Sequence, residues 1–253
     1  MQGIYNGGLT REQFLFYEIR IVASLLSQGL SREEVTEKIK NENLFQFPTE
    51  RTLNLITNCC YRRIDALDSD VLVEHLASAS IDVAKQINLY AMMKYNRIVW
   101  DFMTTVIAEK YRTRDLTFSK KDMNLFFYRL QEQNDAVASW SDQTINKIKQ
   151  VLVKSLVECG YIDSTKSESL NFMAIAPELE DEIKAKLRGY FSEIPGASFG
   201  LSSSSMMSMT GGAAVTVAVK SEDLDKARET ADAIKLLLEE KASDVVTEPT
   251  LSM

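Results

Sequence analysis

Two sets of side chains recur at a helical period and carry groups that can address a nucleic acid. Gln143, Lys147, Gln150 and Lys154 follow one another at intervals of four, three and four, and Arg51, Asn54, Asn58 and Arg62 at three, four and four. Such spacings set each group along one side of a helix of 3.6 residues per turn. Amides pair with base edges, ammonium and guanidinium groups pair with phosphates, and neither set includes an acid. An ordinary solvated face has the same look, and on periodicity alone that plainer reading is the better supported. A third basic feature lies between the two. From Lys94 to Arg129 the chain has eight basic residues against four acids, and KYRTRDLTFSKK at its centre offers Arg112, Arg114, Lys120 and Lys121 from an expected turn. There they are free either to reach phosphates or simply to be solvated.

Other chemistry finds little support. His75 is the only histidine, set in VLVEHLA, so a histidine-based triad or metal cluster rests on a single candidate better read as structural. Gly7-Gly8 and Gly211-Gly212 lack the lysine of a phosphate-cradling loop. Pro177, Glu178, Glu182 and Lys184 echo a nuclease set but fall within one expected helix, whereas such a site draws its carboxylates from strands. No catalytic residue, no metal site and no cofactor is therefore expected, and the chain reads as a non-enzyme.

The 253 residues, 45% hydrophobic and 26% charged, suit one large or two small domains. A net charge of −7 and a pI of about 5.0 weigh against nucleic acid. The acidity is uneven, however: residues 201–253 hold five basic and nine acidic residues, leaving 24 against 27 for the first 200. Binding needs only a local basic surface. Three cysteines, two of them adjacent at Cys59 and Cys60, form no disulfide framework. MQGIYNGGLT lacks the pattern of a signal peptide, and no apolar run approaches the ~18 residues of a membrane span, so a cytoplasmic protein is expected.

The elements that must position these groups follow from caps and stripes. Ser141, after a Trp140 expected to be buried, starts a helix that Gly160 ends, with Ile145, Ile148, Leu152, Leu156 and Cys159 as its buried stripe. Thr49 starts the helix 50–66, whose stripe is Leu53, Ile56, Cys60, Ile64 and Leu67. Ahead of it, Ser31 and Glu34 form a capping box opening a helix to about residue 41, and a first helix spans residues 10–28 before Gly29. Further helices are expected at 70–77, 81–85 or beyond, and 91–111, and over 120–133 with Ser119 and Asp122 as caps. Residues 161–163 and 170–174 suggest two short strands around STKSES, the shape of a wing, before a helix from Pro177 to about Arg188.

Two helices joined by a short link, the second bearing Arg and Asn, read as a helix-turn-helix, with a plain helical bundle as the alternative. The expected fold is all-α and compact, with two helix-turn-helix elements, a two-stranded wing after the second, and a C-terminal extension. Its divisions are a helix-turn-helix region 1–68, central helices 69–118, a second helix-turn-helix or winged region 119–190, a linker 191–212, and an extension 213–253 with one amphipathic helix.

Three blocks then carry a resemblance. FLFYEIRIVASLLSQGLSREEVTEKIKNENLFQ (14–46), LYAMMKYNRIVWDFMTTVIAEKY (89–111) and VASWSDQTINKIKQV (137–151) resemble the BrxA proteins of bacteriophage exclusion (BREX) systems. The resemblance spans most of residues 4–190. It implies a small, all-helical, monomeric protein of a bacterial phage-defence locus, with two helix-turn-helix elements beside basic surfaces and affinity for double-stranded DNA. It places the first element at 31–63 and the second at 119–154, and offers nothing for residues 202–253. The expected partners are double-stranded DNA and other BREX proteins, with no membrane. The alternative is an adaptor that assembles other defence subunits through its helical faces.

Overall fold

The computed structural model describes residues 5–191, 202–203, 215–216, 228–229, 232–233 and 236, the side chains of 187–191, 202–203 and 215–216 excepted. Eleven helices run through them, so the architecture is all-α. Ile4–Leu179 forms one compact unit, and the later residues belong to a second.

The first helix is shorter than its periodicity suggests. Gly7–Thr10 makes a 3-10 turn, residues 11–15 leave helical geometry, and α1 spans Phe16–Ser27 from a Leu15 in the left-handed region at φ 51°. The cause is a buried arginine. Arg63, only 1% exposed, donates to the carbonyls of Phe14 at 2.9 Å, Glu12 at 2.9 Å and Gln13 at 2.6 Å, and Asn88 donates to Phe14 at 2.7 Å. Carbonyls held in this way are drawn off the path of a helix axis.

Gly29 ends α1 as expected, at φ 88°, with Gly29 N–H bonded to the Leu26 carbonyl and Leu30 N–H to that of Leu25. The Ser31–Glu34 capping box opens α2 (Arg32–Glu42), and the Thr49 hydroxyl caps α3 (Glu50–Leu67). All five residues of the expected α3 stripe are buried. Tyr61 ties the pair together, donating to the Arg32 carbonyl at 2.8 Å beneath the Arg32 guanidinium.

α4 (Asp70–Ser78) and α5 (Ile81–Tyr95) pack on α1 and α3. Arg20 of α1 caps the end of α4 through the carbonyls of Ala77 and Ala79. α5 runs unbroken through residues 86–91, where the sequence suggested a gap, and the break falls instead at Asn96. Its backbone is extended, and its side chain accepts from Ile98 N–H, so it closes α5 and opens α6 (Arg97–Phe102). α6 continues through a π-helical turn, Met103–Ile107, into α7 (Ala108–Arg112).

Ser119 and Asp122 cap α8 (Lys120–Gln133) as expected; a short α9 (Asp135–Ala138) precedes α10 (Asp142–Glu158), and α11 spans Pro177–Phe191. The expected wing strands do not pair with each other as a ribbon. One backbone bond, Asn171 N–H to the Tyr161 carbonyl, links them, and the Asn171 amide donates to Asp163, while Ser169 forms an antiparallel bridge with Thr117 before α8. Beyond the first unit, Ser202–Ser203 and Val215–Thr216 pair as two-residue antiparallel strands. The linker 191–212 and the helix expected at 222–241 otherwise lie outside the described residues.

Replacing Arg63 with alanine strips the partners from the Glu12 and Gln13 carbonyls, and a loss of about 3 kcal/mol in urea unfolding is expected. Lysine is not expected to restore it, since one ammonium lacks the planar fork of donors. Burial pushes the Cys59 thiol up to about 11 and the Cys60 and Cys159 thiols upward as well. The folded chain therefore keeps protons that the unfolded chain releases above pH ~8.5, and stability falls as pH rises through that range. Native protein at pH 8 should resist thiol alkylation, and denaturant should release all three cysteines.

Candidate nucleic-acid interface

α10 is set by its ends. Ser141 accepts from Thr144 N–H at 3.2 Å to start it. Gly160, at φ 75°, stops it with the paired bonds Gly160 N–H to Val157 O and Tyr161 N–H to Leu156 O. Its stripe of Ile145, Ile148, Leu152, Leu156 and Cys159 is buried, whereas Trp140 is only half-buried. Three neighbours then fix its rotation. Gly7 lies against Thr144 near the start, with room for a Cβ 3.6 Å from the Thr144 methyl. Lys149, in the middle, donates to Asn124 of α8 at 2.8 Å and sits over the Phe127 ring. At the far end Glu158 pairs with Lys85 of α5 at 3.0 Å.

With the helix held in this way, Gln143, Lys147, Gln150 and Lys154 are all exposed. Among the described residues none of the four has a hydrogen bond or ion pair. Asn146, which the sequence reading passed over, is exposed about 60° around the helix from Gln143 and adds an amide. The signal was present in the spacing, since Asn146 precedes Gln150 by one turn.

The α3 face differs. Arg51 and Asn58 are exposed, Asn54 is half-buried, and all three are unengaged among the described residues. Arg62, by contrast, pairs with Glu12 at 2.7 Å and stacks over Tyr95. Asp65 continues the same stripe one turn beyond Arg62 and binds Arg32, so the acid-free run ends at Arg62. Leu55, 41% exposed, lies between Arg51 and Asn58.

The basic turn is also partly committed. Arg112 pairs with Glu109 through bonds of 2.6 and 2.8 Å. Lys110 is buried and bridges Asp115 and Asp122 at 3.3 and 3.1 Å. Burial weighs against its charge, but the two carboxylates prevail and hold its pKa above the ordinary lysine value. Arg114 is exposed on a left-handed backbone, φ 57°, and Lys120 and Lys121 are exposed in the first turn of α8.

Among the described residues no group of three or more His, Cys, Asp or Glu is placed to hold a metal ion, and no helix is long and apolar enough to cross a membrane. His75 is half-buried on α4, and Lys184 of the nuclease-like set pairs with Glu180 on the same helix, α11.

The BrxA family profile matches residues 3–186. The chain belongs to the BrxA family. Similar curated proteins include the BREX protein BrxA of Bacillus cereus (strain H3081.97), 36% identical over 64% of this chain and 81% of that one. Those of Paramagnetospirillum magneticum (strain ATCC 700264 / AMB-1) and Escherichia coli O9:H4 (strain HS) are 24% and 25% identical, covering 68% and 69% of this chain and 86% and 81% of theirs. The fold is shared with the crystal structure of an uncharacterized protein from Magnetospirillum magneticum, at a TM-score of 0.62 and 22% identity over 74% of this chain and 95% of that one. The family match ends at residue 186, ahead of residues 202–253, for which the sequence offered no resemblance.

Because Ser141 alone supplies a side-chain acceptor to the start of α10, Ser141→Ala should cost about 1 kcal/mol. Chemical denaturation of the variant beside the parent protein measures it.

Proposed function

We propose that this BrxA-family chain is a non-catalytic, double-stranded-DNA-binding component of a BREX phage-defence system that addresses the duplex through the free face of α10. The observation that carries the reading is the exposure of Gln143, Lys147, Gln150 and Lys154, and their lack of side-chain partners among the described residues, on a helix held at three points. A rigid helix loses little entropy when it docks, and its two lysines give up no internal ion pair to meet phosphates. Gln143 and Gln150 then address base edges or sugars. Arg51, Asn54 and Asn58 of α3 form a secondary surface. Arg62 and Arg112 contribute to the local field more than to contacts, because each already holds a carboxylate. Residues 7–14 touch both helices, at Thr144 of α10 and at Arg62 and Arg63 of α3, so one short segment adjoins both candidate surfaces.

The second reading, an adaptor for other BREX proteins, draws on exposed Leu125 and Tyr128 on α8, at 45% and 60%. Charge reversal separates the two: Lys147→Glu with Lys154→Glu should abolish DNA binding and leave association with defence subunits intact, and the converse result would favour the adaptor. In equilibrium titrations over a salt series, log affinity should fall with log salt by about 0.9 per neutralised phosphate, and Lys147→Ala with Lys154→Ala should reduce that slope by about 1.8. Affinity that ignores salt, or no affinity at all, would sink the DNA-binding reading.

A further inference from the structure

Lys166 has no place in the sequence-derived set, yet the fold carries it to the same end of the molecule as two residues that do. Phe118 N–H donates to the Glu168 carbonyl at 2.9 Å and Leu170 N–H to that of Leu116 at 2.7 Å, on either side of the antiparallel Thr117–Ser169 bridge. In an antiparallel pair, moving forward from Phe118 and backward from Glu168 leads in one direction. Two residues along that direction stand Lys120 on one chain segment, at the start of α8, and Lys166 on the other, in a turn, each three residues from the bridge, with Lys121 next. All three lysines are exposed and unengaged among the described residues.

The turn bearing Lys166 is closed by its own bonds. Ser167 N–H donates to the Ser164 carbonyl at 3.0 Å, Ser164 N–H to the Ser167 hydroxyl at 3.0 Å, and Lys166 N–H to the Ser164 hydroxyl at 3.3 Å. Its base is fixed as well. Asn171 donates to the Gly160 carbonyl at the end of α10 and to Asp163, and its own carbonyl accepts from the Tyr111 hydroxyl. Further along, Gln86 of α5 clasps the segment by accepting from Ala176 N–H and donating to the Ala174 carbonyl. Of the neighbouring acids, Asp115 and Asp122 share the one ammonium of Lys110 and Asp163 accepts from the neutral Asn171 amide, so part of their charge stands with that of Glu168 beside the three ammoniums.

We propose that the turn 164–167 and the start of α8 form a second grip, in which Lys166, Lys120 and Lys121 bind the sugar-phosphate backbone of the duplex that α10 addresses. The proposal rests on the DNA-binding reading. Backbone is the matching chemistry because the turn, Ser-Thr-Lys-Ser, offers hydroxyls and an ammonium for phosphate oxygens and no aromatic or amide group to read a base.

The test is a salt series of equilibrium titrations of the full chain with a short duplex. Lys166→Ala should reduce the salt slope by about 0.9 and weaken binding at low salt by roughly tenfold. Lys166→Arg should retain both, and Lys94→Ala, which removes a charge from α5, should leave the slope unchanged. If the parent protein binds DNA and Lys166→Ala does not alter slope or affinity, the second grip is wrong while the α10 reading stands. Equal losses in Lys166→Ala and Lys94→Ala would also overturn it, by showing an effect of bulk charge. Absence of DNA binding by the parent protein removes both ideas together.

Discussion

A buried guanidinium that meets backbone carbonyls, and no carboxylate among the described residues, holds this structure in place. Arg63 lies in the interior of α3 and is compensated by three successive backbone carbonyls, whose dipoles stand in for a counter-charge. The arrangement suits arginine, whose donors lie in one rigid plane. It forces residues 12–14 out of helical geometry, which displaces the start of α1 and leaves residues 7–10 free to lie against α10. Asn88 adds the link to α5. Through these two side chains, α3, α5 and the entry to α1 become a single frame, and the placement of the more promising polar face depends on that frame.

The two helix faces look alike in sequence and differ in what their charges already do. Arg62 of α3 holds Glu12 and stacks on Tyr95, while Arg32 of α2 holds Asp65 of α3 and stacks on Tyr61, so much of the cationic character there is spent on joining α2, α3 and the N-terminal segment. On α10 the lysine that braces the helix is Lys149, off the free face and partly desolvated over Phe127, and burial lowers its pKa. Lys147 and Lys154 remain uncommitted. A charge with no internal partner can be neutralised by a phosphate without first breaking a bond.

Local signals were legible and distant ones were not. The caps at Ser31, Thr49, Ser119 and Ser141 and the stops at Gly29 and Gly160 could be read directly, because each depends on residues within one turn of itself. Both buried stripes were likewise read residue by residue. Arg63 was within reach of the same reasoning: it stands three residues after Cys60 and four before Leu67, inside the apolar stripe, and an arginine there signals a buried role. The pairing of Thr117 with Ser169 had no such signature, since fifty-two positions separate the two residues. The engagement of Arg62 by Glu12 was hidden for the same reason, as fifty positions separate the partners.

The contact of Gly7 with Thr144 also has a consequence in time. Chains are made from the N-terminus, and compact units begin to fold as they emerge. Residues 7–14 appear first, yet their partners arrive in two instalments: Arg63 and Asn88 with the first half of the chain, and α10 much later. The early helices can therefore assemble around the arginine and leave an outward strip at residues 7–10 against which the last long helix of the unit settles. The nascent chain thus builds the seat of α10 before α10 exists.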